Sequence, residues 1–95
     1  MARIVWSSIA NEDLKNIASY IERDSYYYAK LTVQNIYKQI RKLKEFPFSG
    51  RMIPEYNEPN FREIIYGSYR IMYVVDSDLI KIITIVHNKQ DIQNT

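Results

Sequence analysis

Hydrophobic residues in the last third of the chain fall into short runs that are typical of β-strands. The segment 61–87 holds three runs rich in Ile, Val and Tyr, separated by Gly67-Ser68 and by Asp76-Ser77-Asp78. β-Branched and aromatic residues between turn-forming residues indicate strands, and breaks of two or three residues favour tight hairpins. The pattern predicts three antiparallel strands at roughly 61–66, 69–76 and 79–87.

Apolar residues before this segment recur at the spacing of two amphipathic helices. The first helix, capped by Ser7 or Ser8, has its apolar positions at Ala10, Leu14, Ile17, Ala18 and Ile21. The second, capped within Asp24-Ser25, has them at Ala29, Val33, Ile36, Tyr37, Ile40 and Leu43. Pro47 prevents any continuation of this helix. Helices of roughly 16 and 20 residues, with almost no loop between them, predict an antiparallel hairpin.

The order of these elements predicts an α+β fold. Residues 3–6 are predicted to form a short first strand, so the chain follows the order β-α-α-β-β-β. The helical hairpin is expected to pack on one face of a small antiparallel sheet. Segment 46–59 contains all three prolines and is expected to be a long loop. The 95 residues suffice for one core but not for two, so we expect residues 1–95 to form a single domain.

Composition narrows the classes of function that the chain can have. The 46% of hydrophobic and 25% of charged residues are those of an ordinary globular protein. The lack of cysteine excludes disulfides and thiolate metal sites, and a single histidine excludes paired-histidine sites, so we expect no metal and no cofactor. No stretch approaches the roughly 20 apolar residues of a membrane span, and the apolar run at the N-terminus is too short for a signal peptide. We therefore expect a cytoplasmic protein with no membrane partner.

The small net charge of +2 conceals one basic section of the chain. Its cations are Lys30, Lys38, Arg41, Lys42, Lys44 and Arg51. Such a section can be a nucleic-acid footprint. It can also be a solvated helix face whose last cations complement the helix dipole, and we favour this second interpretation because most charge runs are of that kind.

The predicted meander suggests which side chains share a face of the sheet. If Ser77-Asp78 is the turn between the last two strands, Arg70 lies opposite Ile85, and His87 shares that face. The predicted face holds Arg70, Met72, Val74, Lys81, Ile83, Ile85 and His87. The other face is the more apolar, so we expect the helices to cover it. Arg70, Lys81 and His87 would then stand on the open side of the sheet.

An arginine and a histidine on one open surface suit phosphate chemistry. A guanidinium can bind a phosphate through two hydrogen bonds, and an imidazole can transfer a proton near neutral pH. Glu55, in the long loop, is a candidate general base that could fold over the same face. In the alternative interpretation Arg70 only pairs with Glu63 across the hairpin turn, His87 only ends a strand, and Glu55 is solvated.

The same residues carry a resemblance to a known family. The matching pieces span about residues 4 to 88, and it is their order and spacing together that is specific. They are Ile4-Val5-Trp6-Ser7, Ala10, Asp13-Leu14, Ile17, Tyr20-Ile21, Phe46-Pro47, Gly50-Arg51, Pro54-Glu55, Arg62-Glu63, Tyr69-Arg70-Ile71, Tyr73 and Ile85-Val86-His87. The chain resembles the RelE/ParE superfamily, the toxins of type II toxin–antitoxin modules. The resemblance implies a helical hairpin on a small antiparallel sheet.

The resemblance implies two possible activities. RelE-like and YoeB-like members are endoribonucleases (mRNA interferases) that cut mRNA in the ribosomal A site. By similarity to the YoeB-like site, Glu55 would be the general base, Arg70 the phosphate clamp and His87 the general acid. The nucleic-acid contacts expected with this activity are Arg51, Arg62, Lys81 and Lys89. We take this ribosome-dependent endoribonuclease as the main expectation.

The alternative is a ParE-like inhibitor of DNA gyrase without nuclease activity. The long hairpin and the Trp6-Ser7 head look more like ParE, and the chain has Glu63-Ile64-Ile65 where a RelE-like strand would carry cations. Either activity implies a cognate antitoxin and a toxin–antitoxin hetero-oligomer, with the ribosome and mRNA, or DNA gyrase, as the target. Exposed apolar residues at Met72, Val74 and Ile83 would suit the antitoxin. A third interpretation is an unrelated small nucleic-acid binder.

Overall fold

The computed structural model describes residues 2–88. The elements are β1 (Arg3–Trp6), α1 (Ser8–Glu22), α2 (Tyr26–Arg41), a 3-10 turn (Lys42–Lys44), β2 (Arg51–Met52), β3 (Phe61–Tyr66), β4 (Tyr69–Asp76) and β5 (Leu79–His87). The predicted strands of the meander and the predicted helical hairpin are confirmed. The two-residue strand β2 was not predicted, because so short a strand carries no recognisable period.

Five strands form one sheet in the order β1-β5-β4-β3-β2. β2, β3, β4 and β5 pair in antiparallel fashion, whereas β1 runs parallel to β5. The prediction was a small antiparallel sheet. The observed sheet is mixed, because its edge strand β1 is parallel to its neighbour. The chain between β1 and β5 contains both helices, and a connection of that length permits parallel pairing at the edge of the sheet.

Both helices begin at serine caps. The Ser7 hydroxyl accepts a hydrogen bond from the Ala10 amide, and the Ser25 hydroxyl accepts one from the Tyr28 amide. Each hydroxyl satisfies a backbone donor that has no partner within its helix. None of the helices between residues 2 and 88 is long and apolar enough to cross a membrane.

The hydrophobic core lies between the hairpin and one face of the sheet. Its buried members are Ala10, Leu14, Ile36, Ile40 and Leu43 from the helical segment, Ile71, Tyr73 and Val75 from β4, and Ile80, Ile82 and Ile85 from β5. We call this side of the sheet the helix face and the opposite side the open face. The apolar face that was predicted to be covered is thus the covered one, except that Ile85 and His87, which were predicted for the open face, also lie on it.

The exception arises from an irregularity in the pairing of β4 with β5. Between the Ser77-Asp78 turn and the pair Tyr73–Ile82, residues of β4 and β5 face each other as predicted. The register then shifts between Tyr73 and Met72. Beyond the shift, Arg70 lies opposite Val86, so the predicted pairing of Arg70 with Ile85 is wrong. An inserted residue of this kind reverses which face each following side chain occupies.

Side chains from the start of α1 hold the irregular part of β5. β1 ends at Trp6, so β5 has no neighbouring strand on that side after Ile82. There the Asp13 carboxylate accepts hydrogen bonds from the Ile85 amide, at 3.0 Å, and from the Thr84 hydroxyl. The Ser7 hydroxyl donates to the Ile83 carbonyl at 2.6 Å. These side chains replace a strand partner and stabilise the altered pairing.

The long loop is fastened to the sheet through Tyr73. The hydroxyl of this buried residue donates to the Pro47 carbonyl at 2.8 Å and accepts from the Gly50 amide at 3.0 Å. A Cβ atom on Gly50 would lie only 2.6 Å from the Glu63 carbonyl oxygen, so the close approach of loop and strand requires glycine. The loop then continues over the open face, where the candidate site lies.

Candidate functional site

Arg70 occupies the centre of the open face. Its Nε donates to Glu63 Oε1 at 2.7 Å, while Nη1 and Nη2 donate to the two carboxylate oxygens of Glu55 at 2.9 and 2.8 Å. On the other side, Arg51 Nε donates to Glu63 Oε2 at 2.7 Å. The four residues form one chain of alternating charge, Arg51–Glu63–Arg70–Glu55, which we call the ionic chain. It joins β2, β3, β4 and the long loop.

The middle of the ionic chain is buried and its two ends are exposed. The side chains of Glu63 and Arg70 are 0% and 7% exposed, whereas those of Arg51 and Glu55 are 60% and 55% exposed. Ion pairs at a surface contribute little to stability, but a buried charge that loses its partner is strongly destabilising. The predicted alternative pairing of Arg70 with Glu63 is therefore present, and it is an internal ion pair rather than a surface one.

Arg70 keeps the Glu55 carboxylate in its ionised form. The hydrogen bonds from the Arg70 guanidinium are the main cause that lowers the pKa of Glu55 from 4.5 to about 2. An efficient general base has a pKa near the pH at which it works. Glu55 thus reaches Arg70 as predicted, but in this arrangement it is a weak proton acceptor at neutral pH.

His87 lies on the opposite side of the sheet from Arg70. It pairs with Tyr69, and the two rings meet edge to face with their centroids 5.2 Å apart. Tyr69 packs against the core, and the residue next to it, Arg70, points to the open face because neighbouring strand residues alternate. The prediction that Arg70 and His87 share a face is wrong, and the shifted pairing of β5 is the physical reason.

Of the cations predicted to bind nucleic acid, the three that the structure describes, Arg51, Arg62 and Lys81, are divided between the two faces of the sheet. Arg51 and Lys81 are exposed, and Lys81 pairs with Val74 of β4. Arg62 pairs with Tyr73 and so lies towards the helix face. Its guanidinium donates to the carbonyls of Pro59 and Gly50 and stacks on a phenylalanine of the loop. Lys89 lies outside the described residues.

The residues predicted to bind an antitoxin are partly accessible. Met72, Val74 and Ile83 are each half-buried. Met72 pairs with Glu63, and Val74 pairs with Phe61 and Lys81, so both belong to the open face. Ile83 lies in the irregular part of β5. Within residues 2–88, no group of His, Asp or Glu side chains is arranged to hold a metal ion.

Sequence reasoning did not identify Asp13 as a determinant of the site. Its carboxylate accepts hydrogen bonds from the Thr84 hydroxyl and the Ile85 amide, in the part of β5 where the pairing is shifted and beyond which His87 lies on the helix face. The available signals were its position one turn after the helix start, which is also common for a solvated carboxylate, and its place in the Asp13-Leu14 piece of the family resemblance. Glu63 was recognised as a partner of Arg70 but not as a buried residue, because an acidic residue within a strand gives no indication of what covers it.

Comparison with known proteins identifies the family. The family model described as the ParE toxin of the type II toxin–antitoxin system, parDE, matches residues 4–92. The chain belongs to the ParE toxin family. No curated protein matches this ParE-family chain at a significant level.

Solved structures share the fold of this ParE-family toxin. A chain from the chromosomal ParDE toxin–antitoxin system of P. aeruginosa superposes with a TM-score of 0.75 at 23% identity, covering 92% of this chain and 96% of the other. A chain of the RelB-RelE complex from Methanococcus jannaschii gives a TM-score of 0.60 at 18% identity, covering 95% and 96%. A chain of the RelBE2 complex from Mycobacterium tuberculosis gives 0.59 at 16%, covering 90% and 96%. These similarities show a common fold.

The buried carboxylate of the ionic chain is expected to stabilise this ParE-family toxin. Glu63→Gln keeps the side-chain volume but removes the charge that two arginines contact, so we expect the free energy of unfolding to fall by about 2–4 kcal/mol. The measurement is urea denaturation at pH 7. The exposed Glu58 provides a matched control, because Glu58→Gln makes the same change at the surface. Equal stability of the two variants would contradict the assigned role of Glu63.

Stability should depend on pH through Glu55. Because its folded pKa is lowered, the unfolded state binds more protons, and the stabilisation is present above pH 4.5 and lost as the pH falls towards 2. Glu55→Gln should therefore lower stability at neutral pH and show a flatter decline across this acidic range. Urea denaturation at a series of pH values measures both effects. Parallel curves for wild type and variant over the acidic range would refute the effect of Arg70 on Glu55.

Proposed function

We propose that this protein is a type II toxin that inhibits DNA gyrase by binding to it and is neutralised by a cognate antitoxin. The proposal is supported by the match to the ParE family over residues 4–92, since resemblance to ParE implies gyrase inhibition. The observation that carries the choice between the two toxin activities is the position of His87 on the opposite face of the sheet from Arg70.

Cleavage of RNA through its own 2′-hydroxyl needs a base, a clamp for the phosphate and an acid at one place. Here Nε, Nη1 and Nη2 of Arg70 all donate to carboxylates, so a phosphate would have to displace Glu55. The lowered pKa of Glu55 weakens it as a base. The imidazole of His87 stands beside Tyr69 on the helix face. These three facts argue against an endoribonuclease centred on Arg70.

One observation favours the endoribonuclease as a second candidate. Glu55 and Arg70 do meet on the open face, as the resemblance to YoeB-like toxins implies. A rearranged β5 would still be required to bring His87 to them. The two activities are therefore separated best by a substitution of His87 itself.

His87→Gln should leave the toxic activity intact. Inhibition of supercoiling by purified gyrase is expected to stay within about twofold of wild type. A substitution outside the gyrase-binding surface should change the free energy of binding by no more than roughly 0.5 kcal/mol. Growth inhibition on expression should persist as well. Circular dichroism and thermal unfolding check that the variant is folded.

The same protein samples should be tested on translating ribosomes. Wild-type toxin is expected to leave ribosome-bound mRNA uncut while it impairs supercoiling. Cleavage of mRNA by the wild type, lost in a folded His87→Gln variant, would overturn the gyrase proposal in favour of the endoribonuclease.

We propose the open face as the antitoxin-binding surface. The ParE and RelE structures that share this fold come from toxin–antitoxin systems or complexes. On the present chain, Met72 and Val74 are half-buried apolar residues on a face that no helix covers. Apolar residues on an accessible sheet surface suit the apolar side of a partner segment.

Val74→Asp should weaken binding of the antitoxin, which can be sought in the reading frame beside this gene. A buried charge at an apolar contact is expected to raise the Kd at least about tenfold, which equals roughly 1.4 kcal/mol. Ile9→Asp is the matched control, since Ile9 is 61% exposed on α1, away from the open face. Titration calorimetry measures Kd. Equal affinities of the two variants would exclude Val74 from the interface.

A further inference from the structure

The outer surface of α2 carries a row of long polar side chains. At 100° per residue, Tyr27, Lys30, Gln34, Lys38 and Arg41 fall within an arc of about 80°, opposite the core positions Ala29, Ile36 and Ile40. All five are exposed. We call this row the basic ridge. Between Lys30 and Arg41 it extends for about 16 Å along the helix axis.

The charge of the whole chain is concentrated in this section. Residues 26–44 contain Lys30, Lys38, Arg41, Lys42 and Lys44 and no acidic residue, so they carry a net charge of +5. Since the chain as a whole carries +2, all other residues together carry −3. The net charge therefore understates the local positive potential around α2.

Neither ion pairing nor the helix dipole accounts for the whole ridge. Among residues 2–88, the ion pairs of the structure involve Arg51 and Arg70 but none of the ridge cations. Lys38 and Arg41 belong to the last turn of α2, where cations complement the helix dipole. Lys30 is the fifth residue of the helix and has no such stabilisation.

The ridge ends at a shallow depression. A space of about 330 Å³ is lined by Lys38, Arg41, Lys42, Glu45 and Phe46. Three cations and one carboxylate, that of Glu45, thus surround one concave surface at the end of a straight row of polar side chains, so the cations outnumber the acidic group there. This shape offers a place where an anionic group can contact several cations at once.

We infer that the basic ridge binds the phosphate backbone of a double-stranded nucleic acid. Arginine, lysine, glutamine and tyrosine are side chains that contact phosphate and sugar. The phosphates of a duplex supply about one negative charge per 1.7 Å of axis, so several lie within reach of a row of this length. An acidic protein segment is the competing occupant. We favour a duplex because the ridge cations and polar side chains run in one straight row, as the phosphates of a duplex backbone do.

This inference does not rest on gyrase inhibition. If the toxin binds gyrase, the basic ridge could also contact the DNA that gyrase holds. The binding of the ridge to nucleic acid can nevertheless be tested without gyrase. The binding is expected to be independent of sequence, since nothing in the ridge is arranged to distinguish bases. It is also expected to depend steeply on salt.

The test measures fluorescence anisotropy of labelled 20-base-pair DNA and RNA duplexes with the full chain. Three neutralised phosphates give a slope of about −2.7 in a plot of log K against log salt, so affinity should fall about 40-fold between 50 and 200 mM salt. The variant combines Lys30→Gln, Lys38→Gln and Arg41→Gln. It should lose most of that slope and bind at least about tenfold more weakly at low salt.

The matched control removes three charges elsewhere. Arg3→Gln, Lys15→Gln and Arg23→Gln are exposed substitutions that cause the same change in net charge. The control variant should keep the wild-type slope on at least one duplex. If both triple variants lose duplex affinity equally, net charge alone explains the binding, and the inference is overturned. Binding of a poly-glutamate peptide of equal charge as tightly as either duplex would overturn it in favour of an acidic protein partner.

Discussion

The ion pair between Glu63 and Arg70 determines how the open face is organised. Two charged side chains removed from water are stable only when each has a partner with good geometry. Glu63 satisfies this condition with Arg70 and Arg51, and Arg70 satisfies it with Glu63 and Glu55. The exposed ends of this chain draw β2 and the long loop onto the sheet. A surface that no helix covers thereby acquires a defined arrangement.

The two faces of the sheet are shaped by different interactions. On the helix face, apolar side chains of β4 and β5 pack under the hairpin, and burial of apolar area stabilises that layer. On the open face, hydrogen-bonded charges order the residues, with half-buried apolar positions beside them. The exposed ends of the ionic chain, Arg51 and Glu55, are the parts of this surface that solvent or a partner can reach.

The scaffold of this ParE-family toxin is shared with RelE proteins, although identities are below 25%. Function therefore depends on which side chains the common scaffold brings together rather than on the scaffold itself. Glu55, Arg70 and His87 are all present in this chain, yet only the first two meet. The order and spacing of residue types along a chain do not by themselves fix which side chains meet.

Local patterns in the sequence determined the helices, the three long strands and the positions of the turns. Serine caps, apolar spacing and turn residues act within a few positions of one another, so they can be interpreted without knowing the fold. The same patterns also indicated which face of the sheet the helices cover, because that face is the more apolar one. The likeness to a toxin family also lay in the sequence, in the order of many short pieces.

Only the tertiary structure decided the face of His87, the direction of β1 and the burial of Glu63. In the shifted part of β5, the Ile85 amide donates a hydrogen bond to Asp13, which lies 72 positions earlier in the chain. The burial of Glu63 depends on arginines from two other strands. Such contacts leave no periodic trace in the chain, and one residue of shift is enough to move a side chain to the other side of a sheet.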